Sequence, residues 1–78
     1  MGEIVHFVAV PFDQTDEGLV AGEPFKCANP NAAIERAKGY WKTFGHAGAA
    51  AFVRSGYPVT STTVLRTFGN VPDDFAFD

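Results

Sequence analysis

The sequence lacks a second cysteine, a membrane-length apolar run, a basic excess and any internal repeat. Each absence excludes something. With Cys27 alone, no disulfide can staple a monomer, which argues against a secreted disulfide scaffold and for a reducing, cytoplasmic setting. No window of about 20 apolar residues is available to span a bilayer. The first segment carries Glu3 where a secretory leader carries positive charge, and its apolar run is short and stops at Pro11. It therefore reads as a strand and not as a targeting segment. His6 stands where a myristoylation signal after Met1-Gly2 needs Ser or Thr. Six Lys and Arg against nine Asp and Glu give a net charge of −3, which disfavours nucleic acid as a partner. Phosphate loops, nucleophile elbows and dinucleotide fingerprints are missing as well.

What is present is the composition of a packed domain: 46% hydrophobic and 14% aromatic residues, with 19% charged. At 78 residues the chain is a single domain, with residues 71–78 either a tail or a short segment packed on the sheet. A core of this size rarely supplies more than ~3–5 kcal/mol unaided. Once a disulfide is ruled out, oligomerisation is the natural support.

The clearest local pattern is a helix from Asn29 to Phe44. Asn29 is a good N-cap, and Pro30 stands at the first helical position, where its missing donor is harmless. Ala33, Ile34, Ala37, Trp41 and Phe44 recur at spacings of three and four and form one apolar stripe. Gly45 supplies a stop. Gly39 costs ~1 kcal/mol relative to alanine inside a helix, and close approach of the helix to a sheet would explain it. Ile4 to Val10 is apolar at nearly every position and predicts a central strand with both faces covered. A polar loop over Phe12 to Gly18 leads to a weaker strand, Leu19 to Ala28, which Gly22 and Pro24 interrupt and so assign to an edge. Ala49 to Ser55 and Val59 to Phe68 are two further strands around a turn at Ser55-Gly56-Tyr57-Pro58.

The expected fold is α+β, β-β-α-β-β: a four-stranded, mainly antiparallel sheet in the order 2-1-3-4, with one helix on one face. That order puts the doubly apolar strand in the middle and the proline-bearing strand at an edge. One helix covers only one face. Val5, Phe7 and Ala9 share one parity of the first strand, and Ile4, Val8 and Val10 the other. The second face is therefore apolar too, and a large uncovered apolar face marks an interaction surface. Two occupants are expected: a second copy in a homodimer, or the chain's own Phe75 and Phe77.

Few residues offer chemistry. Cys27, His6 and His46 are the soft metal ligands, but none has a ligand spacing, so neither a metal nor a cofactor is expected. Cys27 precedes a helix N-terminus, where a thiol can be activated, and a Cys27–His46 pair is the enzyme reading of these residues. Asp13, Asp16 and Glu17 share a loop without a calcium-loop pattern and read as solvated. Arg54 and Arg66 on neighbouring strands, with Tyr57 and Tyr40, are the candidates for a carboxylate or another anionic partner.

The segments VPFDQTDEGLVAGEPFKC, NAAIERA, HAGAAAFVRSG and VLRTFGNVPDDF resemble a family of short hypothetical proteins from alphaproteobacteria, over about Phe7 to Phe75. The resemblance implies a bacterial, intracellular protein and carries no activity or site. The function expected is a small non-catalytic interaction module, homodimeric through the open sheet face, meeting another protein or a small anionic ligand. The alternatives are a thiol- or acid/base-dependent enzyme using Cys27 or His46 and, third, a nucleic-acid accessory protein that stacks bases on its Phe residues.

Overall fold

A computed structural model describes residues 5–56 and 61–72. The elements follow in the order β1 (Val5–Thr15), β2 (Gly18–Ala21), β3 (Phe25–Cys27), α1 (Pro30–Lys42), β4 (Gly48–Ser55) and β5 (Ser61–Gly69). All strand pairings are antiparallel, in the order β2-β1-β4-β5, and β3 also pairs with β1. The α+β class and the strand order match the expectation. Among the described residues the strand count is five, because the weak second run is two strands.

Pro11 explains that split. β1 does not stop at Pro11 but runs on to Thr15, with Pro11 opposite Ala49 of β4. The Pro11 carbonyl accepts from Gly22 N–H at 2.8 Å, on the side away from β4. In an extended strand a residue's N and O face the same way, so the missing donor of Pro11 also faces that side. The β4 ladder is untouched, and the loss falls at the gap between β2 and β3. Beyond it, the expected long loop is a two-residue turn: Thr15 pairs with Gly18 across Asp16 and Glu17. The Thr15 hydroxyl donates to Gly18 O and accepts from Glu17 N–H.

The helix starts as its sequence requires. Asn29 Oδ1 accepts from Ala32 N–H at 2.7 Å, and Pro30 opens the first turn. It ends at Lys42 with Thr43 as the C-cap, two residues short of Phe44. Thr43 and Phe44 N–H both donate to Gly39 O, His46 N–H donates to Tyr40 O, and Gly45 takes φ +77°. These bonds satisfy carbonyls that a helix end leaves open.

Two clusters occupy the two faces of the sheet. On the helix face Ala33 and Ala37 meet Ala9, Ala49 and Ala51, flanked by Phe7, Cys27, Ile34, Tyr40, Leu65 and Phe68. On the other face Val8, Val10, Phe12, Ala50 and Phe52 pack with Leu19 and Val71. Both faces are apolar, as the alternation of β1 predicts. The second is not an open surface, however: Val8, Val10, Phe12 and Phe52 are only 2–4% exposed. Phe75 and Phe77, the expected intramolecular cover, lie outside the described residues.

A register shift opposite Ala51/Phe52 pairs Arg66 with Ala51 and Val64 with Phe52, leaving Leu65 as the extra residue. This bulge sends both Leu65 and Phe68 to the helix face, whereas simple alternation sets them apart. The helix stripe changes along its length. Its alanines are buried, but Trp41 is 41% and Phe44 71% exposed. Trp41 therefore leaves the core expected for it and stacks on Phe68 at the flank, with ring centroids 6.0 Å apart.

Gly48, opposite Gly69, is buried against the chain leaving β5. A Cβ there would overlap the Asn70 backbone. Gly48→Ala is expected to lower stability by at least ~2 kcal/mol, because backbone cannot move aside as a side-chain tip can. Urea unfolding of the two proteins measures the difference.

Candidate functional site in the groove between α1 and β3

The helix packs chiefly over β4 and β1, and only lightly over β3. β3 is a three-residue strand that, among the described strands, pairs only with β1, through Phe7–Cys27, Val8–Lys26 and Ala9–Phe25. Because Phe25 pairs with Ala9, its side chain rises on the helix face, beyond the edge of the helix. Between them lies a groove of about 550 Å³. That falls within the range of about 300–1,000 Å³ typical of small-molecule sites.

The walls are apolar and the rim is charged. Phe25, Tyr40 and Phe44 line the groove, with Ala32 and Gly39 on the helix side. Arg36 reaches across it: its Cζ is 3.6 Å from the centroid of the Phe25 ring and 6.0 Å from that of Tyr40. Such a cation–π contact contributes roughly 0.5–1 kcal/mol at an exposed site. Phe25 is still 45% exposed. Glu35 completes the rim. The one salt bridge among the described residues joins His46 and Asp13, so Arg36 has no carboxylate partner there.

Gly39 shapes the helix side. A Cβ built on it meets nothing within 4 Å. Close approach to the sheet, the expected reason for this glycine, is therefore not the reason. Its missing side chain instead deepens the groove.

The residues singled out in the sequence are dispersed. Cys27 lines the groove, half-buried, with Sγ 3.6 Å from Phe25 O. His46 is not beside it. Its Nδ1 lies 2.7 Å from Asp13 Oδ1, and its ring meets Tyr40 edge-on at 5.6 Å. A carboxylate only accepts, so Nδ1 carries the proton and donates. Asp13 is thus not part of a wholly solvated acidic loop but a strand residue that clasps the end of the helix. Among the described residues no thiol or hydroxyl hydrogen-bonds His46, so the Cys27–His46 pair does not form.

Arg54 and Arg66 do not make one patch. Arg54 shares the face of Phe52, its Cζ 5.2 Å from that ring, and pairs with Thr62. Arg66 shares the helix face with Phe68, at 5.6 Å. The bulge at Leu65 does not bring them together. His6 pairs with Arg54, apart from His46 and Cys27. Tyr40 joins the groove, and Tyr57 lies outside the described residues. Among the described residues no three His, Cys, Asp or Glu side chains converge as a metal site would need.

Sequence reasoning missed Phe25, Arg36, Gly39 and Phe44 as groove residues. A signal was available. Ala32, Arg36 and Gly39 recur at spacings of four and three, a second helix face beside the alanine seam. Comparison with family models, with curated proteins and with solved structures finds no match to this chain. No described helix is long and apolar enough to cross a membrane.

Two measurements follow. Gly39→Ala is expected to raise stability by about 1 kcal/mol, since it adds helix propensity in open space. A double-mutant cycle of Asp13→Ala and His46→Ala is expected to give a coupling of about 0.2–1 kcal/mol, the scale of a half-exposed pair. Both are read by denaturant unfolding.

Proposed function

We propose that this chain is a non-catalytic binding module whose recognition surface is the α1–β3 groove. Gly39 carries the reading. A helix-interior glycine costs about 1 kcal/mol, and here no neighbouring atom requires it. Local rules broken without a packing reason concentrate at functional sites. What this glycine provides is depth, between Phe25, Tyr40 and Phe44. The arrangement of the polar residues supports binding over catalysis, because among the described residues Cys27 Sγ meets only a backbone carbonyl and no nucleophile hydrogen-bonds His46.

Self-association is the second reading. Phe25, Trp41 and Phe44 are among the exposed large hydrophobics, and they lie on the helix side. The sheet face opposite the helix, expected to be the dimer surface, offers less, since its central side chains are already buried. A homodimer built on the helix-side aromatics would use the area that the single chain leaves open.

Nile red, an uncharged apolar dye, tests the groove. Its fluorescence is expected to rise and shift to the blue with the native chain. Gly39→Leu fills the groove while favouring the helix, so it is expected to abolish the signal without lowering the melting temperature. Dye binding that survives Gly39→Leu would refute the reading. For self-association, sedimentation across micromolar to millimolar concentrations should show a dimer that Phe44→Ser weakens. A monomer throughout removes that second reading.

A further inference from the structure

We propose that the groove between α1 and β3 selects a small carboxylate with an apolar, planar body. The inference rests on the groove being a binding site and adds the chemistry of its ligand.

Two features define that chemistry. The first is a cation with no carboxylate partner among the described residues. Arg36 lies against the Phe25 ring at 3.6 Å, in van der Waals contact with its face. The N–H donors of a guanidinium lie in its own plane, so they project past the ring and not into it. Among the described residues no carboxylate lies in salt-bridge contact with them. A guanidinium held over a ring face presents a two-pronged donor that matches a planar carboxylate. Lys26 pairs with Val8 and alternates to the other sheet face, so Arg36 is the cation that the groove presents.

The second feature is the wall. Phe25, Tyr40 and Phe44 offer aromatic surface, and Gly39 leaves room between them. A cationic ligand is disfavoured, because Arg36 already occupies the Phe25 face that such a ligand would use. A large polyanion is disfavoured by Glu35 on the same rim. One negative charge on an apolar body satisfies both the wall and the rim.

The test compares two probes of the same shape. Isotope-labelled protein is titrated with 2-naphthoate and with its uncharged counterpart, 2-naphthalenemethanol, and amide shifts are followed by NMR. Shifts at Cys27, Arg36, Gly39 and Phe44 are expected with both. Naphthoate is expected to bind about tenfold more tightly, the worth of one charge-assisted contact. Arg36→Gln should erase that ratio, whatever it does to the alcohol's own affinity, and Arg36→Lys should restore part of it. Far-ultraviolet circular dichroism confirms that both variants fold. Equal affinities in the native protein, or a ratio that survives Arg36→Gln, overturn the carboxylate preference and leave the groove as a neutral site. Absence of groove shifts with either probe overturns the groove reading itself. Naphthoate binding that weakens as protein concentration rises also overturns the proposal, because a second copy then holds the groove.

Discussion

Helix and sheet meet through alanine. Ala33 and Ala37 rest on Ala9, Ala49 and Ala51, and all five are fully buried. A seam with no atom beyond Cβ lets the helix axis come close to the sheet, with dense dispersion contacts and little apolar volume. The larger side chains are carried by the opposite face, where Val8, Val10, Phe12 and Phe52 pack together. The two faces therefore divide the work. One sets the distance between layers, and the other holds the larger of the fully packed side chains, whose burial contributes about 25 cal/mol per Å².

Close approach has a consequence for the helix's own large residues, which cannot fit beneath it and must spread to the sides. On the β5 side the space is filled: Trp41 stacks on Phe68, and Gly69 sits under the indole beside the Ala47 carbonyl. Asn70 N–H donates to that carbonyl and closes the flank. On the β3 side the chain places Ala32 and Gly39, which fill nothing. The groove is thus the unfilled flank of a tightly seated helix. Its asymmetry with the β5 flank arises from which residues the sequence places at those positions.

Most of the architecture was legible in the sequence, because its signals are local or follow the pleat. The Asn29-Pro30 start, the two-sided apolarity of β1 and the edge character of the Gly22–Pro24 segment all have direct counterparts in the fold. What was not legible depends on partners distant in the chain. Pro11 reads as a strand end until the side its missing donor faces is known. Leu65 and Phe68 read as opposite in parity until the bulge on β5 is known. Trp41 reads as core because periodicity reports direction and not available depth. The site was hidden for the same reason: Phe25 and Arg36 are 11 positions apart and meet only because β3 pairs with β1 beneath the helix edge.

Pre-organisation connects these local facts to recognition. The groove's walls are tied at several points. Asn29 fixes the start of the helix, and the Asp13–His46 hydrogen bond fastens the chain just past its end to β1. Arg36 spans the opening and holds Phe25 from above. Ordering of loops and long side chains is a main cost of association, roughly 0.5–1.5 kcal/mol for each flexible side chain immobilised. Arg36 is such a side chain, and the Phe25 ring has already restricted it before any ligand arrives. A ligand that meets its donors therefore gains the contact without most of that cost. The selectivity we propose therefore turns on Arg36 of α1, exposed but stacked over Phe25 of a three-residue edge strand.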